Sequence, residues 1–156
     1  MRSDPERDAF LAQPHVAILA TIGPYQCPHA VPVWYLYEEN EFTVTMQRGS
    51  QKHRNLQRCP HVSLVVDRRE RPYYAVTAMG AAEIGASPTR EWFLRLATHY
   101  LGAESGATYT ASHNLAESVT ICLRPSKYII YPRGAWTVEG QGELNRKAVG
   151  LVVEVG

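Results

Sequence analysis

The chain has 156 residues, 45% hydrophobic and 20% charged, with a formal net charge of +1. So balanced a charge gives no reason to expect nucleic acid or an acidic membrane surface as a partner, and no apolar run approaches the ~20 residues of a membrane helix. Three scattered cysteines, Cys27, Cys59 and Cys122, argue against a disulfide framework. The length predicts one domain with a substantial core. The polar, acidic start (Ser3, Asp4, Glu6, Asp8) is unlike a secretory signal, and the expected location is cytoplasmic.

In chain order, Ser3-Asp4-Pro5-Glu6 has the form of a capping box with an early proline and predicts a short helix over residues 4–12. Val16 to Ile22 predicts a strand and Gly23-Pro24-Tyr25-Gln26 a turn. His29 to Tyr37 predicts a second strand, rich in β-branched and aromatic residues. Pro32 inside it cannot donate to a ladder and marks an edge, a bulge or a ligand-facing kink. Glu38-Glu39-Asn40 turns the chain into a third strand, where Val44 and Met46 alternate with Thr43 and Thr45. Gly49 permits a positive φ and Ser50 is a good N-cap, so a helix follows over residues 50–58, stopping before Pro60.

Val62 to Val66 is the fourth predicted strand, and Asp67 to Pro72 a charged turn carrying Arg68, Arg69 and Arg71. Tyr73 to Ile84 alternates as a long fifth strand. Ser87-Pro88 opens the strongest helix, in which Trp92, Phe93, Leu96, Ala97 and Tyr100 recur at helical spacing and Gly102 closes the run. Residues 103–116 read as a weaker helix or a loop. Val119, Ile121 and Leu123 begin a last strand that continues through Tyr131. Residues 1–131 form the domain, and 132–156 a C-terminal extension.

Strands joined by short turns, with one amphipathic helix, predict a mainly β fold: a small antiparallel barrel with helices packed outside. Trp34, Tyr35, Tyr37, Tyr73 and Tyr74 exceed what one such barrel can bury, so some of them line a ligand cleft or a subunit interface. Around Gly49, strand, turn, hydroxyl cap and Lys52 read either as a basic surface loop or as a phosphate seat. A cation in the first helical turn is unfavourable unless an anion meets it. Cys27-Pro28-His29 and Cys59-Pro60-His61 repeat one tripeptide, but zinc sites space their cysteines two to four apart. Buried thiols and strand-start histidines are expected there, with no metal. His53 is read as part of a solvated helix face.

Five motifs stand in a telling order. They are Ile18 to Gly23, Pro28 to Trp34, Thr45 with Ser50-Gln51-Lys52-His53-Arg54-Asn55-Leu56, Pro60 to Val65, and Tyr73 with Val76-Thr77 and Gly80. Together they resemble the flavin-binding split-barrel superfamily of pyridoxamine-phosphate-oxidase-like proteins, most of all its flavin- or deazaflavin-dependent oxidoreductases. The resemblance implies a six-stranded antiparallel split β-barrel working as a homodimer, with a flavin-type cofactor in each of two clefts built from both subunits. It assigns Ser50 and Lys52 to the cofactor phosphate, Thr45 and Met46 to the ring and ribityl chain, and Val31, Pro32, Val33 and Trp34 to the ring edge. Gln47, Gln51 and Asn55 complete the implied set.

Two departures narrow that implication. The second strand lacks the basic pair of true pyridoxamine-phosphate oxidases, and Gln51 stands where they carry arginine, leaving Arg48 or Arg54 to reinforce the seat. The implied cofactor is coenzyme F420 or FMN, and the implied chemistry is hydride transfer to a small unsaturated organic substrate. No catalytic residue is assigned; Tyr35, His29 and Tyr74 are the first proton donors to test, against packing roles for all three. Arg68, Arg69 and Arg71 are surface residues or contacts for a deazaflavin's anionic tail. Trp136 is either a subunit-interface anchor or a cap on the partner's cleft, and the extension is placed at the dimer interface. The alternative is a non-catalytic module that binds flavin, deazaflavin or haem.

Overall fold

The computed structural model describes residues 4–132; Trp136 and the Leu151–Val155 run lie outside the described residues. The elements in order are α1 (Pro5–Leu11), β1 (Ala17–Ile22), β2 (Pro28–Val33), β3 (Tyr35–Glu38), β4 (Glu41–Gln47) and α2 (Gln51–Arg58). There follow β5 (His61–Arg68), β6 (Tyr74–Ile84), α3 (Arg90–Leu101), α4 (Ala103–Ser112), β7 (Ser118–Leu123) and β8 (Lys127–Tyr131). All ladders are antiparallel, and the strand path runs β2-β1-β5-β6-β7-β4-β3, with β8 paired to β6 off that path. The fold is a mainly β split barrel with flanking helices.

β6 is the strand that makes one barrel of two sheets. Its first part pairs with β5 on one side and β8 on the other, and Ala82 to Ile84 then pair with Leu123 to Ile121 of β7. Alternation sends one face of each strand inward: Phe42, Val44 and Met46 from β4, Val62, Leu64 and Val66 from β5, Val119, Ile121 and Leu123 from β7. Each such side chain taken fully out of water contributes roughly 1.5–3 kcal/mol.

Two predicted strands are broken in the structure. The second turns at Trp34 into β2 and β3, which stand at opposite ends of the strand path. The last is interrupted at Arg124-Pro125-Ser126, so that β8 leaves β7 and pairs with β6 instead. At the second break Pro125 has no N–H to give the ladder, and closing the barrel requires the chain to change sheets at both points. The helix expected from Ser87 is capped by Thr89, whose side chain accepts from Trp92 N at 3.2 Å. Residues 103–112 are a regular helix, α4, packed closely on α3. A Cβ at Gly106 would come within 2.7 Å of Thr98 N, so only glycine allows that approach.

α1 packs on the barrel core through Phe10 and Leu11. Asp4 caps it by accepting from Arg7 N at 3.1 Å. Arg7 is buried, ion-paired with Asp8 at 2.7 Å, and lies 4.0 Å over the Tyr128 ring. Tyr37 donates to Asp8 at 2.6 Å, and Tyr128 donates to Asn40 Oδ1 at 2.9 Å. No helix among the described residues is long and apolar enough to cross a membrane.

Candidate functional site

A cleft of about 850 Å³ opens where the chain passes from β2 to β3. Pro32, Val33 and Trp34 form one side, the end of β4 (Thr45, Met46, Gln47) and the start of β7 form the floor, and Lys52 reaches in from α2. α3 and α4 complete the lining through Phe93, Leu96, Tyr109 and His113.

Trp34 is held from behind. Its ring stacks on Tyr100 of α3 at 4.8 Å between centroids with an interplanar angle of 5°. The Tyr100 hydroxyl accepts from Tyr35 N at 3.1 Å and donates to the His15 carbonyl at 2.8 Å, which ties α3 to the β2–β3 turn. Burial pushes the Tyr100 phenol up to about 12, against the opposing pull of the Tyr35 backbone. It therefore stays protonated and able to hold this bond across the neutral range.

The start of α2 is built for an anion. Gly49 takes φ +75° to turn the chain, and Ser50 occupies the N-cap position in extended geometry. Its side chain makes no capping bond, and among the described residues its buried Oγ has no hydrogen-bond partner. The first N–H groups of the helix therefore have no side-chain acceptor, and the positive end of the dipole faces the same region as Lys52. Arg54 curls back over this turn and donates to the Gly49 carbonyl at 2.6 Å. Arg48 is directed elsewhere, towards Ser87 Oγ and the Ser118 carbonyl.

Seven of the eleven residues named from the sequence share the cleft: Pro32, Val33, Trp34, Thr45, Met46, Gln47 and Lys52. Val31, Ser50, Gln51 and Asn55 are not on its lining. Val31 packs against the core, and Ser50 sits at the helix start beside Lys52. Gln51 turns along α2, donating to Asn55 Oδ1 at 2.7 Å and accepting from Arg54 at 2.8 Å. Asn55 is 0% exposed and donates to Thr21 Oγ1 at 2.9 Å, fastening α2 to β1.

Other sequence expectations need correcting. His53 is 6% exposed rather than solvated, because its Nδ1 accepts the Gly49 N–H at 3.0 Å. Cys27 is exposed and Cys59 partly so, since both sit at strand starts outside the core. Among the described residues no three His, Cys, Asp or Glu side chains gather as a metal-ligating set.

Tyr35, His29 and Tyr74 all lie off the cleft lining. The Tyr35 phenol is sealed in the core, where burial raises it far above its ordinary range. Tyr74 packs edge-on against Phe10 at 4.7 Å. Arg68 and Arg69 are occupied in the β5–β6 turn, by the Pro72 carbonyl and Asp67.

The wall residues Tyr109 and His113 escaped the sequence reading. Tyr109 lies in the last turn of α4 and His113 is its C-cap residue. A spacing of four across a helix end was the available signal, but α4 is made of small and polar residues and shows no clear apolar stripe.

Comparison with known proteins agrees with this architecture. The pyridoxamine 5'-phosphate oxidase family model matches residues 3–130, and no curated protein matches the chain. A solved F420 reductase is 26% identical, the match covering 78% of this chain and 94% of that one with a TM-score of 0.67. A conserved hypothetical protein from Mycobacterium tuberculosis is 23% identical, covering 88% and 93%, with a TM-score of 0.68. A haem-binding protein from Mycobacterium smegmatis is 21% identical, covering 92% of this chain and 62% of that one, with a TM-score of 0.59. These last two likenesses are of fold alone. The chain belongs to the pyridoxamine 5'-phosphate oxidase family.

Proposed function

We propose that this protein is a flavin-type oxidoreductase that binds reduced coenzyme F420 or FMN in the cleft and reduces a small unsaturated organic substrate. The observation that carries the reading is one cleft holding both an apolar slot and an anion seat. Pro32, Val33, Trp34 and Met46 offer apolar walls, and Lys52 stands beside a helix start that the Ser50 side chain does not cap, its hydroxyl having no partner among the described residues. When bound, such a cofactor supplies a two-electron hydride donor. The chain's own part is to fix the phosphate with Lys52 and the α2 N–H groups, to hold the ring against Trp34, and to keep water from the slot. The F420 reductase relative supports the deazaflavin form; Gln51, turned away along the helix, leaves Lys52 as the cleft's own cation at the seat. The working unit is a homodimer whose second copy completes each cleft, in a cytoplasmic setting.

Titrating the purified protein with coenzyme F420 and with FMN, followed by absorbance and fluorescence, tests this. One of the two binds, and Lys52→Ala weakens that binding about 10- to 100-fold, the worth of a charge-assisted contact, with thermal unfolding unchanged. Unchanged affinity would remove the phosphate seat. A Soret band on adding haem, with neither flavin bound, would replace the enzyme by a haem-carrying module.

A further inference from the structure

We infer that the α4 wall is the substrate side of the cleft, shaped for a flat conjugated carbonyl compound, and that His113 is the acid that completes its reduction; this rests on the hydride chemistry proposed above. The wall is a run of rings. Tyr109 lies nearly parallel to Phe93, 7° between planes at 5.9 Å, and 5.6 Å from Trp34. A planar π system stacks on such faces better than an aliphatic one does.

His113 closes this run, with its ring 4.1 Å from Tyr109 and 5.1 Å from Phe93. Its Nδ1 is 3.0 Å from the Tyr109 carbonyl. A carbonyl only accepts, so Nδ1 carries a hydrogen in both protonation states and Nε2 is the nitrogen that gains and loses the working proton. Among the described residues Nε2 has no hydrogen-bond partner, and none of them seals it from solvent. The imidazole is thus locked by two rings and a backbone bond, with one reactive nitrogen open. Glu117, another ionisable group on this side, is already engaged by Asn114 Nδ2 at 2.9 Å.

The chemistry needs this group. In an α,β-unsaturated ketone the β carbon gains a hydride from the reduced flavin-type cofactor, whose two electrons make the new C–H bond. The double-bond pair moves to the α carbon, and the Nε2–H of the His113 imidazolium is delivered there. Neutral His113 then recovers a proton from solvent.

The test uses benzylideneacetone as probe. Nitrogen-edited NMR of the cofactor-free protein is expected to show the Nδ1–H tautomer for neutral His113, with its Nε2 signal moving as the probe is added. The opposite tautomer, or a signal the probe leaves in place, overturns the inference. In His113→Gln, cofactor affinity stays at the wild-type value while single-turnover reduction of the probe slows about 100-fold or more. Tyr109→Phe keeps the proton-transfer step. A rate unchanged in His113→Gln overturns the role of His113 and leaves the proposed function standing. A wild-type protein that binds neither cofactor overturns the proposed function, and the NMR result then decides the probe-binding wall by itself. Should His113→Gln fail to fold, the wild-type tautomer and probe response decide the role of His113.

Discussion

Asn55 uses both ends of one amide to hold α2 in place: Oδ1 accepts from Gln51 at 2.7 Å and Arg58 at 3.0 Å, while Nδ2 donates to Thr21. Truncation takes the Asn55 donor from the buried Thr21 hydroxyl, which keeps its bond to the His29 carbonyl, and removes the acceptor shared by Gln51 and Arg58. Asn55→Ala is therefore expected to cost about 1–3 kcal/mol in urea unfolding. Lys52→Ala, three residues away, leaves stability alone and lowers affinity. The two substitutions separate support from binding within one motif. The strand, turn and helix of that motif were legible from Gly49, Ser50 and the alternation before them. On those residues alone a basic surface loop and a phosphate seat both stood open, and only the family resemblance favoured the seat. The burial of His53 was not legible, since no local pattern announces that the Gly49 N–H lacks a carbonyl and takes an imidazole nitrogen instead.

At the scale of elements, α1 is joined to the barrel by charge as well as by Phe10 and Leu11. Burial by itself would raise the Asp8 carboxyl, but the Tyr37 hydroxyl and the Arg7 guanidinium outweigh it and hold Asp8 below the usual carboxylate range. The folded protein thus gives up this proton more readily than the unfolded chain does. The resulting stabilisation is full above about pH 4 and is lost as the pH falls through the lower folded-state value. Urea midpoints measured from pH 7 downwards are expected to show Asp8→Asn clearly weaker at neutrality and converging on the wild type in acid. A gap that stays constant with pH would refute the ion-pair account. The strands themselves were readable from alternation, as β4 and β5 show. The break at Trp34 was not, because Val33, Trp34 and Tyr35 all favour strand and only barrel closure makes the chain turn there. The break at Pro125 had a visible signal, a proline inside an apparent strand.

For the whole molecule, cofactor binding and folding are one linked equilibrium. A ligand held only by the folded state, at 100 times its Kd, adds about 2.7 kcal/mol, which for a chain of this size lifts Tm by about 5–10 °C. Thermal unfolding with coenzyme F420 or FMN is expected to show that rise for whichever binds, and Lys52→Ala to forfeit about half of it or more at the same ligand concentration. No rise with either would count against the cleft as a cofactor site.

The turn at Trp34 has one more consequence. β2 and β3 end the strand path, so among the described residues each has a ladder on one side only. Their outward amides, apart from that of Tyr35, which meets the Tyr100 hydroxyl, belong to the least protected backbone of the barrel. Deuterium uptake should therefore be fast at residues 29–34 and slow in β5 and β6, and a ring seated against Val33 and Trp34 should slow exchange at that seam first.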